Sequence, residues 1–166
     1  EKVYELPGSR NALILVHGLF ADEHPFGPLI EEFSYNSQPW QVWRFMYPTT
    51  LNVKQLAKYL ADNIELRNLD YDNIYLVGHS LGGILIQEAL NQAELSNQKW
   101  VSKVKQAVLV GTPNDGSPAV DVYQKLFNSL VNLRTATKLF AVNADVLNSL
   151  TQPTAIPRVQ GINYIV

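Results

Sequence analysis

Continuous apolar runs alternate along this chain with stretches in which apolar residues recur every three or four positions. Ala12-Leu13-Ile14-Leu15-Val16 is one such run, closed by His17-Gly18, and an unbroken run of this length reads as a strand buried on both faces. Gln41 to Tyr47 is rich in aromatic and β-branched residues and stops at Pro48, which predicts a second strand. Ile74-Tyr75-Leu76-Val77, ended by Gly78, is a third. Val108-Leu109-Val110, ended by Gly111 and Pro113, is a fourth, and Val159 to Val166 suits a fifth. Between them, Val53, Leu56, Ala57, Leu60 and Ile64 follow helical spacing, with Asn52 placed to cap the first turn. Ser80 to Ala93 carries Leu81, Ile84, Leu85 and Ala89 on one face. Pro118 to Arg134 carries Val120, Tyr123, Phe127, Leu130 and Val131, with proline where a helix tolerates it. Strand, helix, strand, helix is the order of an α/β protein with a doubly wound, mostly parallel sheet. No repeat, low-complexity tract or linker interrupts it, so residues 1–166 are read as a single domain.

Composition narrows the picture. The chain has 166 residues, a net charge of −2 and 17% charged residues, below the roughly 25% of an average soluble domain, as expected when buried strands take a large share. No basic cluster offers the electrostatic footprint of a nucleic-acid binder. The apolar runs fall far short of the roughly 20 residues needed to span a bilayer. There is no cysteine, so disulfides and thiolate metal sites are excluded, and no His/Asp/Glu group has metal-ligand spacing. No metal and no cofactor is expected. The opening Glu1-Lys2-Val3-Tyr4 suggests a trimmed chain, and localisation is left open between cytoplasmic and secreted.

Two short segments carry chemistry. Gly78-His79-Ser80-Leu81-Gly82-Gly83 lies between the third strand and the helix after it. A serine on so tight a strand-to-helix turn is held in a strained backbone that lifts its hydroxyl above the sheet, at a helix amino end that favours a developing anion. Glycines at 78 and 82 are expected where neighbouring chain passes too close for a β-carbon. A bare Gly-x-Ser-x-Gly arises by chance in roughly one chain in twenty of this size, so its position between strand and helix gives it weight. The alternative is a glycine-rich turn that merely packs closely. The second segment is Val16-His17-Gly18-Leu19-Phe20, at the end of the first strand. Two backbone amides aimed at one oxygen stabilise the tetrahedral intermediate of acyl transfer. Leu81, after the serine, and Leu19, in this loop, are the candidate donors, with Gly18 letting the backbone approach.

Together these segments resemble the α/β-hydrolase lipases and esterases. Val16-His17-Gly18-Leu19 is similar to their oxyanion motif, and Gly78-His79-Ser80-Leu81-Gly82-Gly83 to their nucleophile elbow. Val110-Gly111-Thr112-Pro113-Asn114-Asp115-Gly116-Ser117-Pro118 is similar to the stretch after their next strand, with Asn114 where many relatives have histidine. The resemblance implies a serine hydrolase that cleaves carboxylic esters, with Ser80 as nucleophile and Leu19 and Leu81 as the oxyanion hole. Its substrate would be a small ester or lipid, with transient contact to a lipid surface. It also implies a catalytic acid and histidine in the order Ser, Asp, His. The 166 residues are therefore expected to be truncated before both, inactive alone, and poorly soluble at the cut sheet edge.

A serine needs a base, and the chain offers only His17, His24 and His79. The resemblance gives His17 a supporting role in the oxyanion loop. His79 should point away from the Ser80 hydroxyl. His24, in the 21–28 loop, is the one internal candidate, and a solvated loop histidine is the plainer reading. Asp115 reads first as part of a turn. The helix 118–134 suits either a mobile lid or a surface helix, and Phe20 either an acyl pocket or the core. An acyltransferase or thioesterase would use the same residues. A non-catalytic binding or scaffold protein of the same fold is the alternative outside enzymology.

Overall fold

In this computed structural model, residues 1–19, 26–35, 37, 39–48, 51–67, 71–114 and 156–166 are described. Six strands form one sheet in the order β1-β3-β2-β4-β5-β6: β1 Lys2–Glu5, β2 Asn11–Val16, β3 Trp40–Phe45, β4 Asn73–His79, β5 Val104–Val110 and β6 Asn163–Ile165. β1 is antiparallel to β3, and the other pairings are parallel. All five expected strands are present, with shifted ends. β5 begins four residues earlier than the apolar run suggests, and the expected strand at 159–166 narrows to three residues. β1 was not expected.

β2 is central, and its side chains show both layers. Ala12, Ile14 and Val16 pack with α2 (Val53–Leu66) and α3 (Leu81–Leu95), whereas Leu13 and Leu15 pack with Phe26, Val42 and the residues of α1 (Gly27–Tyr35). Alternate side chains of a strand point to opposite faces, so helices cover both sides, as the doubly wound reading requires. A short 3-10 helix, Lys99–Lys103, leads into β5 and buries Trp100.

α2 begins where the sequence places its cap. The Asn52 side chain accepts from the Gln55 N–H at 2.9 Å, and the Gln55 side chain accepts from the Asn52 N–H at 3.2 Å. This reciprocal box satisfies two amides that the first turn leaves unpaired. The helix then buries Leu56, Ala57, Leu60, Ala61 and Ile64, and each fully buried leucine contributes about 1.5–3 kcal/mol. α3 departs from the one-faced pattern. It buries Leu81 through Gln87, then Ala89, Leu90 and Ala93, because it lies against the sheet on one side and α2 on the other. The expected helix at 118–134 lies outside the described residues.

The strand order has one functional consequence. From β2 the chain crosses to β3 on one side, then returns to β4 on the other. The order reverses between β2 and β4, and in open α/β sheets that reversal opens a crevice beyond the carboxyl ends of the two strands. β2 and β4 end side by side there, with Val16 paired to Gly78.

Candidate active site

The crevice is walled by the two segments singled out in the sequence. Ser80 stands between the last residue of β4 and the first of α3, with φ 54° and ψ −120°. A non-glycine residue at positive φ is strained. Two backbone bonds hold it there: the Ser80 N–H donates to the Val110 carbonyl at 2.9 Å, and the Gly83 N–H donates to the Ser80 carbonyl at 3.0 Å. Ser80 is half-buried, and His79 beside it is exposed.

Close packing explains the flanking glycines. A β-carbon on Gly78 would lie 2.6 Å from the Gly83 nitrogen. One on Gly82 would lie 2.0 Å from the Val16 carbonyl oxygen, and one on Gly83 would lie 1.8 Å from the Thr112 hydroxyl oxygen. α3 is thus seated on the ends of β2 and β5. The β2 loop also approaches the serine, though less tightly: a β-carbon on Gly18 would lie 3.0 Å from the Ser80 β-carbon. Residues 18 and 80, 62 positions apart in the chain, are in contact across the crevice.

Leu19 follows in the same loop and packs, partly buried, against the α2–α3 side of the core. Leu81 is the first residue of α3, and its side chain is fully buried. At that position the N–H has no intrahelical carbonyl to bond. Ser80, Leu81 and the Gly18-Leu19 loop are therefore gathered at one end of the sheet. Phe20, His24 and Asp115 lie outside the described residues.

His17 is buried, 5% exposed. Its Nδ1 lies 2.8 Å from the Gly18 carbonyl oxygen. A carbonyl only accepts, so Nδ1 carries the proton. Nε2 is then the bare nitrogen, and it has no hydrogen-bond partner among the described residues. Burial pushes the ring's pKa below its ordinary value, with the Gly18 hydrogen bond opposing that shift and the Arg44 charge adding to it. Its ring stacks on Tyr47 with centroids 4.2 Å apart and planes 4° apart. The sequence pattern places Tyr47 in a strand; β3 ends two residues before it, and no local signal marks its contact with His17.

One turn along α3 from Gly83, Gln87, 4% exposed, donates from Nε2 to the Asn114 side chain at 2.8 Å and to the Gly83 carbonyl at 3.3 Å. Asn114 thus ties the loop after β5 to α3. Among the described residues no group of His, Asp and Glu is arranged to hold a metal, and no helix is long and apolar enough to cross a membrane.

A doubly wound sheet with a strained serine at its reversal point defines a class of hydrolase-fold proteins, and comparison with known proteins agrees. The family model described as alpha/beta hydrolase fold matches residues 11–145. The chain belongs to that family. No curated protein matches it. Among solved structures, the mature Bacillus licheniformis lipase BlEst2 is similar at 19% identity and a TM-score of 0.63, over 89% of this chain and 57% of the lipase. The thioesterase RedJ of the Streptomyces coelicolor prodiginine pathway is similar at 18% identity and 0.63, over 91% of this chain and 63% of RedJ. The Paleococcus ferrophilus monoacylglycerol lipase is similar at 23% identity and 0.54, over 76% and 51%. At these identities the likeness is one of fold. The chain spans about three-fifths of the length of such neighbours.

Proposed function

We propose that these residues form the nucleophile half of a serine hydrolase acting on carboxylic esters of small molecules or lipids. The observation that carries the reading is Ser80 at φ 54° between β4 and α3, in contact range of the Gly18 loop. The Ser80 oxygen attacks the ester carbonyl as a base removes its proton. The N–H groups of Leu19 and Leu81 stabilise the oxyanion, and the alkoxide departs with that proton as an alcohol. Water then cleaves the acyl-serine, releasing the carboxylic acid and restoring the hydroxyl. His17 is not assigned as the base, since among the described residues its ring contacts are with the Gly18 carbonyl and the Tyr47 ring, with no hydrogen bond to Ser80. We take the base and its orienting acid to come from sequence outside these 166 residues.

A second reading keeps the same nucleophile and changes the leaving group to a thiol, and the similarity to a structure described as a thioesterase favours keeping it in view. The test is to incubate the full-length protein with a fluorophosphonate probe. Labelling that maps to Ser80 and disappears in Ser80→Ala is expected. Well-folded full-length protein that stays unlabelled would overturn the proposal and favour a non-catalytic role. Hydrolysis rates on a p-nitrophenyl ester and on the matching acyl thioester then separate the two leaving groups.

A further inference from the structure

The oxyanion loop turns on Gly18, the residue with the least conformational preference of its own. Two peptide planes meet there, and a side-chain hydrogen bond holds each. The plane after Gly18 contains its own carbonyl and the Leu19 N–H, pointing in opposite directions across a trans peptide bond. The His17 Nδ1–H bond to the Gly18 carbonyl therefore sets the direction of the Leu19 N–H. The plane before Gly18 contains the His17 carbonyl, and the buried Tyr47 hydroxyl donates to it at 2.6 Å. The Tyr47 ring also lies flat against the imidazole, which fixes the ring that holds the other plane. One side chain thus governs both planes, one directly and one through His17. Tyr47 is itself held, 8% exposed, with Phe45 stacked at 5.5 Å on β3.

We infer that Tyr47 is a positioning residue for the oxyanion hole: it aims the Leu19 N–H at the reaction centre by clamping His17 through ring stacking and a hydroxyl-to-carbonyl hydrogen bond. The inference rests on the hydrolase reading above. It locates in β3's extension a determinant of rate that touches neither substrate nor serine.

The experiment uses the full-length protein with a short-chain p-nitrophenyl ester, comparing wild type, Tyr47→Phe and Tyr71→Phe. Tyr47→Phe keeps the stacked ring and removes the donor. Tyr71 supplies the control, a buried tyrosine whose hydroxyl bonds Trp43 and Gln41 away from the crevice. Complete loss of an oxyanion donor costs about 10²–10³ in kcat. A donor that is only misaimed should cost roughly tenfold in kcat, with KM within about twofold. Tyr71→Phe should lower the melting temperature comparably and leave kcat unchanged. A boronic acid, which forms a tetrahedral adduct on serine, should bind Tyr47→Phe more weakly in proportion to the lost kcat. Wild-type kcat in Tyr47→Phe, or an equal fall in both variants, overturns the inference and leaves the hydrolase reading standing. An inert, unlabelled wild type overturns both.

Discussion

Replacing Gly82 by alanine puts one methyl group where the carboxyl end of β2 already sits. The new carbon would lie 2.0 Å from the Val16 carbonyl oxygen, 2.6 Å from the His17 carbonyl oxygen and 2.7 Å from the Val16 carbonyl carbon. Comfortable separation for such atoms is about 3.5 Å, so the overlap approaches 1.5 Å. No side-chain rotation relieves it, because all three of those atoms are backbone and a β-carbon has no freedom of its own. α3 or the end of β2 must move bodily. Overpacking of this kind costs about 1–3 kcal/mol and occasionally more. With backbone on both sides the upper end applies, about 3 kcal/mol, which for a protein of this size lowers Tm by roughly 6–12 °C. Gly8→Ala is the matched comparison. Gly8 has φ +80° and nothing within 4 Å of its would-be β-carbon, so that change carries only the cost of the left-handed backbone, about 1 kcal/mol. Urea and thermal unfolding of the full-length protein measure both. Because the displaced strand end leads into the Gly18 loop, the fluorophosphonate labelling rate should fall for Gly82→Ala alone. If Gly82→Ala unfolds no more easily than Gly8→Ala, the close approach of helix and strand is not what shapes this corner.

Two further outcomes follow from the site. Ser80→Gly should abolish labelling yet stabilise the fold by about 1 kcal/mol, since the residue at φ 54° would lose its backbone strain; unchanged or lower stability in urea would show that the turn is not under strain. His17 brings a pH dependence. Its folded pKa lies below the ordinary 6.5, so as pH falls through about 6.5 the unfolded chain takes up a proton that the folded chain still refuses. The stability contributed by neutral His17 is full above that value and declines below it, until the folded ring is protonated too. Unfolding in urea between pH 8 and pH 5 should show this slope in wild type and a shallower one in His17→Gln; equal slopes would contradict it.

Most of what positions the site was legible in the sequence because it is written locally. The β2 run, the Asn52 cap and the glycines around Ser80 each announce themselves within a few residues. What escaped has a different cause in each case. β1 is four residues at the sheet margin with an exposed-to-intermediate pattern, too short for a period. α1 begins at Gly27-Pro28 and has no fully buried residue; the Gly-Pro pair reads as a break, although proline in a first turn is also a helix-start signal. The early half of β5 contains Lys105, which is exposed, and Gln106, which is partly buried, and these two polar residues hide the strand from a search for unbroken apolar runs. Tyr47 is the instructive omission. Its partner is 30 residues away, and nothing in Phe45-Met46-Tyr47-Pro48 distinguishes a tyrosine that clamps a loop from one that ends a strand.

Gly78, Gly82 and Gly83 answer to masonry, not to reactivity. Each is forbidden a side chain by main chain or by Thr112, and would be so whether or not position 80 carried a hydroxyl. A variant of this chain could exchange Ser80 at less cost to the fold than any of those three. In any kindred chain, the spacing of the glycines therefore reports that helix and sheet still meet at this distance, and is silent about the side chain between them.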